Sequence, residues 1–432
     1  MIGLGVGEII ELAGKGYSLY SYLRSKKTRD IAAGAVEARR FPELYDSLRT
    51  IYYDIPVLTG PGGPFPVGVL PLTSEAEENP EFLLGAIVDR PDYRPVMERR
   101  VIDAIKRRNA TIWNGNTFSL NRLQVDSRGR ANHLDAYIGS YFDMVCSADY
   151  LEYELLAALI HASFRPLGLE DLGARKDALS SAASPLLCLL SGGGVDAAIG
   201  ISTLVVYRRQ HEYWMMCEAR LDLVAEYSDL YHVVPSFIFQ PVVSVTAQNL
   251  KTEWSIKHNI FREYLEELFD VPEVQHSGRS VSADYFYGHP NLVYLRRLLA
   301  DGRAQLSGVA MVFNLLSHRP EICTLLIIDD DAWFEDHKDR FAAGDRGLSY
   351  LCFNDEFRLN ESQKTGSQLD TVTTLPIGDV RWAEIARPWS MVPPGAPAVV
   401  LGSRAACRKL GLEEPRWLAS MTIDPARDPL SM

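Results

Sequence analysis

Residues 199–207 read Ile-Gly-Ile-Ser-Thr-Leu-Val-Val-Tyr, an apolar run rich in β-branched side chains that favours an extended strand. Arg208-Arg-Gln-His-Glu212 follows as a polar turn, and Tyr213-Trp-Met-Met216 returns as a second strand. The chain repeats this kind of signal. Residues 117–125, the turn Asp126-Ser-Arg-Gly129 and the polar stretch behind it read as a hairpin. Residues 231–243 are strand-like but broken by Pro235 and Pro241, residues 303–316 are mixed, and 323–328 form a short buried-type strand ending in three aspartates. Helical spacing marks residues 1–50, 150–164 and 256–269, with a polar connection at 165–184. Clustered Gly and Pro predict an irregular loop at 58–66. Residues 392–402 read as a turn feeding a strand, with a short helix from Ser403. Interspersed strands and helices predict an α/β (α+β) architecture.

Charge narrows the partners. A net charge of −12 over 432 residues argues against broad nucleic-acid binding, which needs a clustered positive surface. It leaves room for a small anionic ligand held by a few arginines or backbone amides. Six widely spaced cysteines, without a Cys-x-x-Cys pair, read as reduced, buried thiols of a cytoplasmic protein. Acidic residues interrupt the apolar N-terminus at Glu8 and Glu11, so neither a signal peptide nor a membrane span is expected. Residues 12–24 suit an amphipathic helix packed on the protein.

The chemistry concentrates at residues 261–269, Phe-Arg-Glu-Tyr-Leu-Glu-Glu-Leu-Phe. On a helix turning about 100° per residue, Glu263, Glu266 and Glu267 share one arc with Arg262 at its edge, and Phe261, Tyr264, Leu265 and Leu268 face away. Three adjacent carboxylates repel one another unless a positive charge offsets them, and hard oxygen ligands suit Mg²⁺ or Mn²⁺. Arg262 can pair with Glu266 one turn on. The alternative is a solvent-facing acidic helix with an apolar underside.

This stretch is similar to the second half of the Nudix box, where Arg-Glu is followed by an apolar residue, any residue and Glu-Glu. Arg262, Glu263, Tyr264, Glu266 and Glu267 meet those positions in register. The box's opening Gly and the Glu six places later stand here as Gln248 and Trp254, with Glu253 one residue out of register. Its closing Gly and the next apolar place are Phe269 and Asp270. The resemblance spans roughly residues 195–335, and the wider pattern looks like a group of bacterial Nudix-related proteins. It implies a Nudix-like mixed-sheet core at 191–345, flanked by the helical segment read at 1–50, a mixed α/β region at 51–190 and a C-terminal extension at 346–432. It further implies Mg²⁺- or Mn²⁺-dependent hydrolysis of a phosphoanhydride in a nucleoside-diphosphate-linked substrate. Glu263, Glu266 and Glu267 would hold metal, with Arg262 orienting Glu266. A second function from another class is a Nudix-fold sensor that binds a nucleotide-like ligand without cleaving it.

Other residues carry weaker signals. Ser191-Gly-Gly-Gly-Val-Asp196 resembles a phosphate-cradling loop of ATP pyrophosphatases with Asp196 one place late, and a plain strand-to-strand loop is the favoured reading. Asp329-Asp-Asp331 reads as a solvated strand end, with a further metal ligand as the alternative. His232 reads as a structural histidine, and Arg208 and Arg209 as solvated residues of a hairpin tip.

Overall fold

The computed structural model describes residues 41–92, 114–219, 230–242, 246–269, 271, 282–338, 341–343, 349–351 and 372–426. The helix expected at 12–24, Asp270 and Cys352 lie outside them. The other cysteines are buried and form no disulfide among the described residues.

The chain opens with α1 (Pro42–Ile51), which carries proline at its first turn, where no intrahelical N–H is needed. The irregular loop expected at 58–66 is instead a hairpin of β1 (Val57–Gly60) and β2 (Gly63–Pro71). Its prolines are tolerated because Pro64 and Pro66 precede Val67, where β2 gains its second neighbour. Next come α2 (Ser74–Glu78), β3 (Leu84–Val88) and the expected hairpin of β4 (Asn116–Val125) and β5 (Ala131–Ser140). The turn between them is organised by Asp126, which accepts from the backbone N–H groups of Arg128 and Arg130, and by Gly129 at φ 74°. Helix α3 (Tyr141–His161) starts nine residues before the expected 150, because Ser140 caps it by accepting from Asp143 N and Met144, Val145, Cys146 and Ala148 already face the core. The polar connection at 165–184 contains α4 (Gly173–Leu179). The apolar run behind it is α5 (Pro185–Leu190), so the glycine loop joins a helix to a strand.

Strands β6 (Gly200–Arg209) and β7 (Glu212–Ala219) pair as expected across Gln210 and His211, both at positive φ. The hairpin then splays. Strand β8 (Tyr231–Val233) pairs with β7, the chain reverses at the cis Val234–Pro235 peptide, and β9 (Ser236–Ile238) pairs with β6. Helices α6 (Ala247–Glu253), α7 (Ile256–Phe269) and α8 (Pro290–Ala300) lead to the hairpin of β10 (Ala304–Asn314) and β11 (Pro320–Ile328). After α9 (Asp331–His337) come β12 (Phe341–Ala343), β13 (Ser349–Leu351), β14 (Val372–Pro376), α10 (Trp382–Ile385), α11 (Gly395–Leu410) and β15 (Thr422–Asp424). The strand expected within 392–402 is the first half of α11. Its small residues allow close approach to the sheet, and a Cβ on Gly402 would come 2.9 Å from Leu204.

The main sheet runs β12-β13-β14-β7-β6-β11-β10-β2-β1-β15, with β8 and β9 attached to β7 and β6. Only β6 and β11 in that path are parallel. Strands β3, β5 and β4 form a second sheet. On one face of the main sheet Leu204, Val206, Cys323, Leu325 and Ile327 pack with α10 and α11. On the other, Val205, Tyr207, Leu326 and Ile328 pack with α7, α8 and α9. That face continues through Ile201, Ile322, Met311 and Phe313 into the core shared with α1, α3 and the second sheet. The molecule is α/β, as its sequence implies. Among the described residues no helix is long and apolar enough to cross a membrane.

Candidate functional site

Helix α7 starts where the sequence places it because two separate oxygens cap it. Ser255 Oγ accepts from His258 N at 3.1 Å. Glu81, far away in sequence, accepts from Lys257 N at 2.6 Å and from Ser255 Oγ at 3.0 Å.

From there, polar residues recur every four positions in two adjacent stripes, His258–Arg262–Glu266 and Asn259–Glu263–Glu267. Both stripes lie inside the protein. Arg262 is 1% exposed, Glu263 9% and Glu266 6%, which excludes a solvent-facing acidic helix. Lys257 is the exposed residue of α7, and Glu267 is half-buried.

Arg262 is the centre of this cluster. Its Nη2 donates to Glu263 Oε1 at 2.7 Å, its Nη1 to Glu253 Oε2 at 3.4 Å, and its Nε lies 4.0 Å from Glu266 Oε2. Burial works against the cation, but Glu263, Glu266 and Glu253 outweigh it and hold the guanidinium above its ordinary pKa. Glu253, one place out of register in sequence, therefore reaches the arginine. Trp254, which occupies the expected place of that acid, stacks on Phe239 at 5.0 Å and donates through Nε1 to Gly85 O at 2.9 Å. Phe269 sits in the apolar core 5.0 Å from the Tyr264 ring, so α7 ends on packing instead of a glycine turn.

The other glutamates have their own partners. Glu266 Oε1 accepts from the Tyr285 hydroxyl at 3.1 Å. Glu267 Oε2 turns away to accept from Ser236 N at 3.2 Å, tying α7 to the start of β9. His258 Nδ1 shares a hydrogen bond of 3.1 Å with the Tyr287 hydroxyl, and its Nε2 stands 3.8 Å from Glu253 Oε2. Burial, reinforced by Arg262, pulls the His258 pKa down to about 4 and keeps the ring neutral near pH 7. Burial and Glu266 push the Tyr285 hydroxyl up. His258 Nε2, Asn259 Oδ1 and Arg262 Nε are buried and have no hydrogen-bond partner among the described residues.

Arg262, Glu263 and Glu266 are thus brought together, with Glu253 added, while Glu267 points elsewhere. Among the described residues no three His, Cys, Asp or Glu side chains gather around a point that could hold a metal ion. The donor chemistry suits a hard divalent cation; in this arrangement the three acids span little more than one helical turn but point to different partners, Glu263 to Arg262, Glu266 to the Tyr285 hydroxyl and Glu267 to Ser236 N. Sequence reasoning confined to residues 261–269 missed His258 and Asn259, although the spacing of four was there to find them. Tyr285, Tyr287 and Glu81 had no local signal.

The remaining candidates lie apart from this cluster. Asp329 is bound by Arg208 at 3.1 Å and by the Tyr213 hydroxyl at 2.7 Å, and Asp330 by Arg303 at 2.7 Å. Asp331 lies 3.3 Å from Arg208. Arg208 is therefore an ion-pair partner, and the Arg209 guanidinium lies between the Trp214 and Phe334 rings, 4.5 Å from each. His232 is buried against Gly395, and its Nδ1 accepts from Val233 N at 2.8 Å. The glycine loop is packed: Gly193 O meets His318 Nδ1 at 2.7 Å, and a Cβ on Gly194 would come 2.6 Å from Ala178 O. Asp196 is fully buried, with the Ser119 hydroxyl on one oxygen and Arg90 3.1 Å from the other.

No family model matches the chain, and a search of curated proteins finds no match.

Proposed function

We propose that the charged face of α7 serves a phosphoanhydride-containing, nucleotide-like ligand together with Mg²⁺ or Mn²⁺, and that the chain hydrolyses that ligand in the manner of a Nudix enzyme. One observation carries this reading: Arg262 is buried beneath the acids of the Arg-Glu-x-x-Glu-Glu pattern and also engages Glu253, the acid displaced in sequence. An acidic cluster repels phosphate by itself, so an anionic ligand here needs a cation between it and the glutamates. Glu263 and Glu266 would hold the cation, with Glu267 joining them once it gives up Ser236 N, and the cation's chemistry is to polarise phosphate oxygens and activate water. Arg262 holds Glu263 and Glu266 in place and limits their mutual repulsion. The orphaned polar atoms of His258, Asn259 and Arg262 supply further hydrogen-bonding capacity beside them.

The second reading is a sensor that holds the ligand without cleaving it. It is favoured by the dispersal of the glutamates and by their bonds to Tyr285 and Ser236 N. Thermal-shift titration with Mg²⁺ and Mn²⁺, alone and with nucleoside diphosphate derivatives, separates the two when products are analysed in parallel. Metal-dependent stabilisation with cleavage products is expected, and stabilisation without products would favour the sensor. Glu266→Gln should abolish turnover while the protein stays folded. Unchanged turnover in that variant would remove Glu266 from the chemistry.

A further inference from the structure

The cluster on α7 is roofed by an aromatic segment, residues 282–289. Through His289 N its backbone hydrogen bonds to described residues are local turns: Tyr285 N to Ser282 O, Tyr287 N to Asp284 O, and His289 N to Phe286 O. His289 O caps α8 by accepting from Val293 N, but among the described residues no strand or helix ladder fixes 282–288 in place. Side chains do that instead. Phe286 is 3% exposed and packs 4.9 Å from the His258 ring. Tyr287 stacks on Phe286 at 4.9 Å and meets Phe261 edge-on at 6.4 Å, with the Arg296 guanidinium 5.0 Å from its ring. The two tyrosine hydroxyls land on the two ends of one polar stripe, Tyr285 on Glu266 and Tyr287 on His258.

We propose that residues 282–289 form an autoinhibitory strap over the charged cluster, held shut by the Tyr285–Glu266 and Tyr287–His258 hydrogen bonds, and that a ligand reaches Arg262 and its glutamates only when the strap lifts. This rests on the reading of α7 as a ligand site. The physical case is one of mismatch. The strap contributes aromatic packing and two hydroxyl bonds, whereas α7 beneath it is anchored by its caps and by the sheet. Lifting the roof breaks no regular backbone ladder before α8 among the described residues, at the cost of uncovering Phe286 and Ala283. A ligand that binds only the lifted state draws the equilibrium toward it, and its apparent affinity is reduced by the small fraction of molecules already lifted. The Tyr285 hydroxyl also occupies a Glu266 oxygen that a cation would need, so closing the strap and binding the cation compete directly.

The test uses the full-length protein with Tyr285→Phe, Tyr287→Phe and the double variant, which keep the rings and remove only the hydroxyls. Access to the cluster is read by carbodiimide-driven amine labelling of Glu263, followed by peptide mass spectrometry. Each lost hydroxyl bond should raise the labelling rate roughly fivefold. Tyr287→Phe is the decisive variant because that hydroxyl bonds to His258 and to no carboxylate of α7. Unchanged Glu263 labelling in all three variants would overturn the strap. Native-state hydrogen exchange of the wild-type chain supplies a second readout that needs no variant. Amides of 285–289 should exchange through a local opening faster than those of α7, and exchange only through global unfolding would also overturn it. Mn²⁺ thermal shifts, run alongside, keep the two claims apart. Raised labelling without any Mn²⁺ shift removes the ligand reading and leaves the strap as the gate to the cluster. An Mn²⁺ shift with unchanged labelling removes the strap and leaves the ligand reading.

Discussion

At the scale of single residues, buried charge explains most of what is unusual. A buried guanidinium persists only if carboxylates or hydrogen-bond acceptors compensate the lost water, and Arg262 has carboxylates for this purpose. Histidines and Asp196 respond to burial in opposite directions. Burial holds His258 at about 4 and His318 at about 3, below the ordinary 6.5, so both take up a proton on unfolding. The native state therefore loses their contribution as pH falls from about 6.5 toward those values. Burial raises Asp196 from 3.8 to about 6, so the native state takes up that proton first and gains stability as pH falls through this window. Asp196→Asn removes the opposing contribution. Thermal melts between pH 6.5 and 4 should then show a steeper loss in the variant than in the wild type. Parallel curves would mean that Asp196 does not titrate there.

At the scale of elements, α7 shows how a helix can be legible in sequence while its surroundings are not. Its boundaries follow from apolar spacing and Ser255, but its second cap comes from Glu81. Glu81→Ala should cost about 1 kcal/mol in denaturant unfolding. It should also speed hydrogen exchange in the first turn of α7 more than at its C-terminus. A uniform effect along the helix would argue against capping as the cause. The same contrast holds at α11, where Val399 and Val400 suggested a strand. Burial against β6, β10 and β11 overrides that local preference, since the small residues around them let a helix approach the sheet closely.

At the scale of the whole molecule, one buried side chain joins parts that are far apart in the chain. Arg175, from α4, is fully buried and donates to Leu151 O at 2.8 Å in α3. It also donates to Leu315 O at 2.8 Å and Leu316 O at 2.6 Å after β10, and to the Tyr52 hydroxyl beyond α1. Tyr52 in turn meets His318, which bonds to the glycine loop through Gly193 O. Arg175→Met keeps much of the volume but leaves these acceptors buried without their donor. A loss of about 3–5 kcal/mol is expected from equilibrium unfolding. A loss below about 1 kcal/mol would show that the surrounding segments do not depend on this junction.

What the sequence determined by itself was local. The α/β class, the β4–β5 and β6–β7 hairpins and the limits of α7 follow from periodicity, turn residues and caps, which act between near neighbours in the chain. The Arg-Glu-x-x-Glu-Glu spacing likewise placed Arg262, Glu263 and Glu266 on one side of a helix. Tertiary structure decided whether that side meets water. It buried the acids, brought Glu253 to Arg262, turned Glu267 toward β9 and laid Tyr285 and Tyr287 over the cluster. It also made a hairpin of the Gly-Pro run at 58–66, because pairing with β10 and β15 extends the sheet through β2 and β1. The physical reason is range: propensity and spacing reach only a few residues along the chain, whereas burial and charge compensation are settled by segments that meet only after folding.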